Sequence, residues 1–282
     1  MRIDWLTPVE QHGDILLKRD DLYLPYGEGT VNGGKLRQCN MLLQLVKGKY
    51  KGVITCCSIH SPQAPITAAV AKNLNLPCYV FYGGTTEEKL NNYKMVQIAR
   101  RYGAKTMIIS RSGIHKILYG KAKKFADENN LFVVDYGFNS QDGNLRETLI
   151  DSNAKQVGNI PKGLDNLVVV CGSGLTSMGI LKGLNMYSNK PRRIWLVATA
   201  PDRQKAINEF LAKENIKIDY NVADLFHCKG FKYEDKVKAS IDGIVLHPNY
   251  EAKAYSWLKS EACPIKPSEK TLLWIVGAEP QR

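Results

Sequence analysis

No apolar run in this 282-residue chain approaches the 18 residues of a membrane-crossing helix, so a membrane span is not expected. The opening M-R-I-D-W-L-T-P-V-E holds no apolar core of the secretory kind, and secretion is not expected either. Cysteine is sparse and unpatterned. Cys39, Cys56, Cys57, Cys78, Cys171, Cys228 and Cys263 are odd in number and irregularly spaced, with no C-x-x-C pair, which argues against a disulfide framework and for reduced thiols in a cytoplasmic protein. The histidines, His12, His60, His115, His227 and His247, show no ligand spacing, so no metal is expected. Internal repeats, low-complexity tracts and linkers are also lacking, which leaves one or two ordinary globular domains.

What is abundant is positive charge. Lys and Arg number 39 against 27 Asp and Glu, a net charge of +12, which favours anionic partners, nucleic acid among them. The lysines are scattered singly or in short clusters such as K-A-K-K and K-G-K-Y-K, a distribution that a solvated surface also produces. Short apolar runs alternate with helical stretches. G-V-I-T-C-C, P-C-Y-V-F-Y, T-M-I-I-S, L-F-V-V-D-Y, D-N-L-V-V-V-C-G, R-R-I-W-L-V-A-T and T-L-L-W-I-V-G read as strands. Between them A-P-I-T-A-A-V-A-K-N-L, residues 87–103, residues 114–130, Q-K-A-I-N-E-F-L-A-K-E-N and E-A-K-A-Y-S-W-L-K-S read as helices, the second ending at Gly103. Apolar strands in strand–helix alternation predict an α/β fold with parallel sheets covered on both faces and ligands at the strands' carboxyl ends.

Two segments carry chemistry. N-G-G-K-L-R-Q offers Lys35 behind Gly33 and Gly34, where backbone crowding is relieved. V-V-V-C-G-S-G-L-T-S-M-G offers a glycine turn at the start of a helix, whose free N–H groups suit a phosphate. A phosphate cradle and an amine able to form a Schiff base are the minimum kit for pyridoxal 5'-phosphate. Alone, Lys35 reads as a surface lysine after a turn and G-S-G as an ordinary β–α turn.

The order of five segments adds to this: L-L-K-R-D-D-L-Y, N-G-G-K-L-R-Q, S-I-H-S-P-Q-A-P-I-T-A-A-V-A, G-S-G-L-T-S-M-G and L-H-P-N-Y-E-A-K-A-Y. Together, over about residues 15 to 260, they resemble the pyridoxal-phosphate dependent tryptophan-synthase-β-like fold, in its 1-aminocyclopropane-1-carboxylate (ACC) deaminase and D-cysteine desulfhydrase branch. The resemblance implies two three-layer α/β domains: residues 1–38 with 142–282 as a larger cofactor-binding domain, and 39–141 as a smaller one. It implies a cytoplasmic homodimer. It makes Lys35 the covalent holder of the cofactor and the carrier of the Cα proton, and Gly172, Ser173, Gly174, Leu175 and Thr176 the phosphate loop. It sets Tyr250 towards the substrate and Glu251 towards the pyridine nitrogen, where a carboxylate keeps the ring protonated; the alternative for Glu251 is a helix-start carboxylate satisfying free N–H groups. Ser61 matches a serine that binds the substrate carboxylate or assists proton transfer.

The chain departs from that pattern in two places. Pro62 stands where the family has an asparagine bonded to the cofactor's phenolic oxygen, and Cys57 and Ser58 replace a glycine pair; His60 and Gln63 are the substitutes at hand. The family's H-x-G-G segment after the last strand is not present, the chain reading W-I-V-G-A-E-P-Q-R. Tyr82 and Tyr136, at strand ends, are expected to pack rather than to stack on a cofactor. The expected function is a lyase or deaminase acting at the Cα–amine of an amino acid or amino-acid-like group. The alternatives are the same chemistry on an amino-acyl group carried by nucleic acid or another large anion, as in DNA modification, and a relative that binds the cofactor without turnover.

Overall fold

The computed structural model describes residues 5–138, 140, 142–201, 203–232 and 235–277. These fall into two compact units, one of Leu24–Arg146 and one of residues 5–23 with Glu147–Gly277. Residues 24–38 belong to the first unit, where the sequence reading put them with the N-terminal strands. The reason is the helix α1 (Gly34–Val46), which packs against α2 (Gln63–Asn73).

In the Leu24–Arg146 unit, β3 (Gly52–Cys56), β4 (Cys78–Gly83), β5 (Lys105–Ser110) and β6 (Leu131–Val134) form a parallel sheet in the order β5-β4-β3-β6. Every residue of β3 is buried, as a central parallel strand requires. The helix α5 (His115–Asn129) lays Leu118, Ala122 and Ala126 on Ile54, Cys56 and Phe81. The run 87–103, read as one helix, is two: α3 (Glu87–Asn92) and α4 (Lys94–Arg101). Tyr93 between them is extended, and its ring packs edge-on against His60 at 4.7 Å, a contact to another loop that sequence periodicity does not report. Past α4, Gly103 takes φ +87°, as expected of a helix-ending glycine.

The second unit begins with the hairpin β1 (Val9–His12) and β2 (Ile15–Arg19), turned at Gly13. Its sheet adds β7 (Asn166–Cys171), β8 (Arg193–Ala198), β9 (Asn221–Asp224) and β12 (Thr271–Ile275) in the order β1-β2-β12-β7-β8-β9, parallel except for the β1 edge. A further two-stranded ribbon joins β10 (Ser240–Ile241) to β11 (Ile244–Val245). One sheet face, with Leu17, Val168, Val170, Val197 and Leu273, packs on Ala252, Ala254 and Trp257 of α9 (Glu251–Leu258). The helix α7 (Leu175–Tyr187) runs against α6 (Gly143–Lys155), and α8 (Gln204–Lys213) packs beside it. A Cβ at Gly179 would fall within 2.7 Å of the Ile150 carbonyl oxygen, so the α6–α7 contact depends on glycine there.

K-R-D-D has a structural use. The buried Lys18 donates to the Thr7 carbonyl (2.7 Å) and to Asn159 Oδ1 (2.6 Å). Arg19 pairs with Glu10 and with Asp21, and Asp20 accepts from Thr7 Oγ1 and from Trp274 Nε1. These bonds fasten the carboxyl end of β2 beside that of β12.

Candidate active site

In the second unit the candidate groups converge at the carboxyl edge of the sheet. Strand β7 ends at Cys171, Gly172-Ser173-Gly174 turn the chain, and α7 starts at Leu175. Gly174 has φ +86°, a conformation that costs other residues, and as the N-cap of α7 it brings no side chain to the helix's first N–H groups. Those amides and the positive end of a 13-residue helix suit an anion. Ser173 and Thr176 are half-buried in the same turn.

Tyr250 is the N-cap residue of α9 and lies against this turn: a Cβ on Gly172 would meet its ring at 4.0 Å. The ring also tilts against His247, 4.6 Å between centroids. Glu251, the first residue of α9, is fully buried. Its Oε1 accepts the N–H groups of Val276 (2.7 Å) and Gly277 (3.1 Å), just past β12. Its Oε2 has no hydrogen-bond partner among the described residues. Burial, aided by the nearby charge of Asp21, pushes the Glu251 carboxyl up to about 8, although three backbone donors, its own N–H and those of Val276 and Gly277, oppose the rise. A buried acceptor with one satisfied and one unsatisfied oxygen is costly unless a donor or cation completes it.

In the Leu24–Arg146 unit, Gly33 (φ +90°) swings the chain into α1 and sets Lys35 in its first turn. Lys35 Nζ donates to the Gly137 carbonyl at 2.8 Å and sits 5.8 Å from the Phe138 ring centroid. The loop it meets is fixed by one side chain. Gln63 Oε1 accepts the Gly137 N–H (2.8 Å), while its Nε2 donates to Thr55 Oγ1 (2.7 Å) and the Asp135 carbonyl (3.0 Å). Gln63 is buried with both ends of its amide engaged, and it braces the turn that holds Lys35. The sequence names Gln63 only as a stand-in for the family's asparagine, because its partners lie 72 and 74 residues away.

Ser61 is buried at the entry to α2, and its Oγ accepts the Gln63 N–H at 3.2 Å. Pro62, the N-cap of α2, brings no N–H. Tyr82 is buried, as expected, whereas Tyr136, in the 3-10 turn Tyr136–Phe138 after β6, is 43% exposed and packs its ring edge-on against His115.

A model of the family described as "Pyridoxal-phosphate dependent enzyme" matches residues 3–260. The chain belongs to the pyridoxal-phosphate dependent enzymes. Two curated relatives align over nearly its whole length. An O-seryl-dTMP PLP-dependent decarboxylase of Salmonella phage ViI is 25% identical, covering 96% of this chain and 80% of that protein. A putative ACC deaminase of Pyrococcus furiosus is 27% identical, covering 98% and 90%. Among solved structures, an ACC deaminase homologue superposes with a TM-score of 0.79 at 22% identity, covering 99% of this chain and 91% of that one. The fold is therefore that of the tryptophan-synthase-β-like enzymes, and the ACC deaminase resemblance read from the five segments holds.

Pyridoxal 5'-phosphate is the cofactor of this family, and the residues present fit it. Within the second unit, the α7 amides and the Ser173 and Thr176 hydroxyls suit the phosphate and the unsatisfied Glu251 Oε2 suits a protonated ring nitrogen; in the Leu24–Arg146 unit, Lys35 is an amine of the kind the cofactor takes. No helix among the described residues is long and apolar enough to cross a membrane.

Proposed function

We propose that this chain is a lyase or deaminase acting at the Cα of an amino-acid group. In this reading Lys35 holds the cofactor and moves the Cα proton, Gly172–Thr176 hold its phosphate, and Glu251 faces its ring nitrogen. Ser61 and Tyr250 face the substrate. When bound, pyridoxal phosphate supplies an electron sink for the charge left at Cα as one of its bonds breaks.

The observation that carries the reading is the buried Glu251, whose free oxygen stands at the same sheet edge as the glycine turn. As a carboxylate beside a protonated ring nitrogen it keeps that proton in place and strengthens the sink. Lys35, anchored on the Gly137 carbonyl, is an amine positioned before substrate arrives. The test is exchange of the substrate Cα proton in deuterated water by the holoenzyme. ACC, D-cysteine, L-serine and a serine-bearing thymidine nucleotide are compared side by side. Exchange with at least one of them is expected, and exchange with none would contradict the assignment.

A second reading, in which the amino-acid group rides on a nucleotide or nucleic acid, is favoured by the distribution of charge. Residues 24–146 hold 17 Lys and Arg against 7 Asp and Glu, a net +10, while the rest of the chain holds 22 against 20. The donors expected to hold a free substrate's carboxylate are also fewer. Pro62 has none and the Gln63 amide braces the Gly137 turn, which leaves the Ser61 hydroxyl, its oxygen accepting a backbone N–H while its proton can still donate. Each charge-assisted bond lost weakens a small amino acid by about 1.5–3 kcal/mol, which a larger substrate can recover elsewhere. The phage relative, an O-seryl-dTMP decarboxylase by name, supports this reading. A homodimer, as in the resemblance, is the quaternary state we assign, measurable by sedimentation.

A further inference from the structure

A cavity of about 530 Å³ opens on the Leu24–Arg146 unit, lined by Cys57, Ser58, Ile59 and His60 after β3, Gly83 and Gly84 after β4, Gly113 and His115 before α5, Leu118, and Tyr136 after β6. It stands at the carboxyl ends of the strands, where ligands of parallel sheets bind, and its volume is that of a small-molecule site. One wall is made of backbone. A Cβ at Gly83 would collide with the Ser112 carbonyl oxygen, and one at Gly84 would come within 2.9 Å of the Gly113 nitrogen, so two chain turns meet there without side chains. The other walls carry three rings, His60, His115 and Tyr136, beside Cys57, Ser58, Ile59 and Leu118. His60 is propped edge-on by Tyr93, and His115 packs against Tyr136 (5.2 Å) and Tyr119 (6.0 Å). Burial holds His115 below the usual histidine range, which favours a neutral imidazole able to donate and to accept.

Among the described residues, no Lys, Arg, Asp or Glu lines the cavity. Cations flank these lining residues in sequence: Arg111 and Lys116, both exposed, stand two residues before Gly113 and one after His115, and Lys121 follows on α5. A neutral, ring-walled hole with cations outside suits a group that is flat and uncharged at one end and anionic at the other. Tyr136 also precedes Gly137, whose carbonyl holds Lys35, so the cavity wall and the anchor of the reactive amine are consecutive residues.

We infer that this cavity receives the base of a nucleotide-linked substrate, and that Arg111 and Lys116 take the phosphodiester backbone beside it. The inference rests on the second reading above. Rings stack on bases with little regard to sequence, while phosphate contacts supply salt-dependent affinity.

The test is binding of a labelled single-stranded thymidine oligonucleotide by the holoenzyme, against an abasic oligonucleotide of equal length, at 50 and 200 mM salt. We expect about a tenfold or greater preference for the oligonucleotide with bases. Tyr136→Ala and Gly113→Val should each abolish that preference and leave abasic binding and its salt dependence in place. At Gly113 a Cβ meets only ordinary contacts, at 3.6 and 3.7 Å, so the second variant adds bulk to the cavity wall by a route independent of the Tyr136 turn. Arg111→Glu with Lys116→Glu should do the converse: the preference stays, and the slope of log affinity against log salt shrinks by about 1.4.

No preference over the abasic strand, or a preference that survives both cavity variants, overturns the inference, whether or not Cα exchange on small amino acids succeeds. A preference that the cavity variants abolish upholds the base site even if the enzyme exchanges no nucleotide-linked Cα proton. That second result would sink the substrate reading alone.

Discussion

The two units present their candidate groups in different ways. In residues 5–23 with Glu147–Gly277 they are backbone amides at the start of α7 and one buried carboxylate on α9, gathered where β7 and β12 end side by side. In Leu24–Arg146 they are a lysine braced by a loop, a ring-lined cavity and an excess of ten positive charges. The first set is built from elements that cannot shift without breaking a sheet, and it suits the part of the reaction common to a whole family. Lys35 apart, which sits in the first turn of α1, the second set is loop residues and surface charge, which can change without touching the fold and suit the choice of substrate. Variants at Lys35 and the glycine turn should therefore fail differently from variants of the cavity and the surface charge.

The largest effect is expected at the amine. Lys35→Ala should lose the cofactor's visible-edge absorbance and about three orders of magnitude or more of Cα exchange while remaining folded by circular dichroism. Next comes the glycine turn. Gly174→Asp adds a side chain where φ is +86° and a negative charge where a phosphate is expected, and cofactor affinity measured by equilibrium dialysis should fall at least a hundredfold. Such loss with any substrate would separate this unit from the cavity variants, which should alter only which substrates bind.

Glu251 should show its effect through pH. Its folded-state value of about 8 lies above the usual carboxyl value of 4.5, so over that interval the unfolded chain gives up a proton that the folded chain keeps. The apo protein's contribution from this residue is intact below about 4.5 and is lost as pH rises towards 8, by up to about 1.4 kcal/mol per pH unit. Thermal melts of apo protein should therefore fall across that window, and Glu251→Gln should flatten the fall while slowing Cα exchange in the holoenzyme. Melts of the same slope in both proteins would reduce Glu251 to a helix-start residue.

The smallest effect is expected for Gln63→Leu, which keeps volume but frees the Gly137 N–H and leaves Thr55 without its donor. Stability should drop by about 1–3 kcal/mol in denaturant melts. Exchange should slow by about tenfold, through a Lys35 held less firmly, with cofactor phosphate affinity unchanged. Equal losses in phosphate affinity would erase the distinction between the units.

Much of this was legible in the sequence where a local rule decides. V-V-V-C-G-S-G-L-T-S is strand, turn and helix in ten residues, and β7, Gly174 and α7 follow from it. The G-G-K segment placed Lys35 after a turn, and Gly33 and α1 give the reason. What stayed hidden depends on distant partners. The helix break at Tyr93 rests on His60, Gln63 is explained by Asp135 and Gly137, and the cavity joins turns that lie after four different strands. The antiparallel edge β1 escaped the strand–helix rule because four half-buried or exposed residues, V-E-Q-H, carry no apolar pattern. Charge totals were plain, but their concentration in one unit needed the fold to draw the boundary.

The central claim is that Lys35 is the amine that holds pyridoxal phosphate. Holoenzyme reduced with borohydride, digested and mapped by mass spectrometry tests it most directly. The account predicts a single pyridoxyl-modified peptide containing N-G-G-K-L-R, with the modification on Lys35. A pyridoxyl group on any other lysine would contradict it.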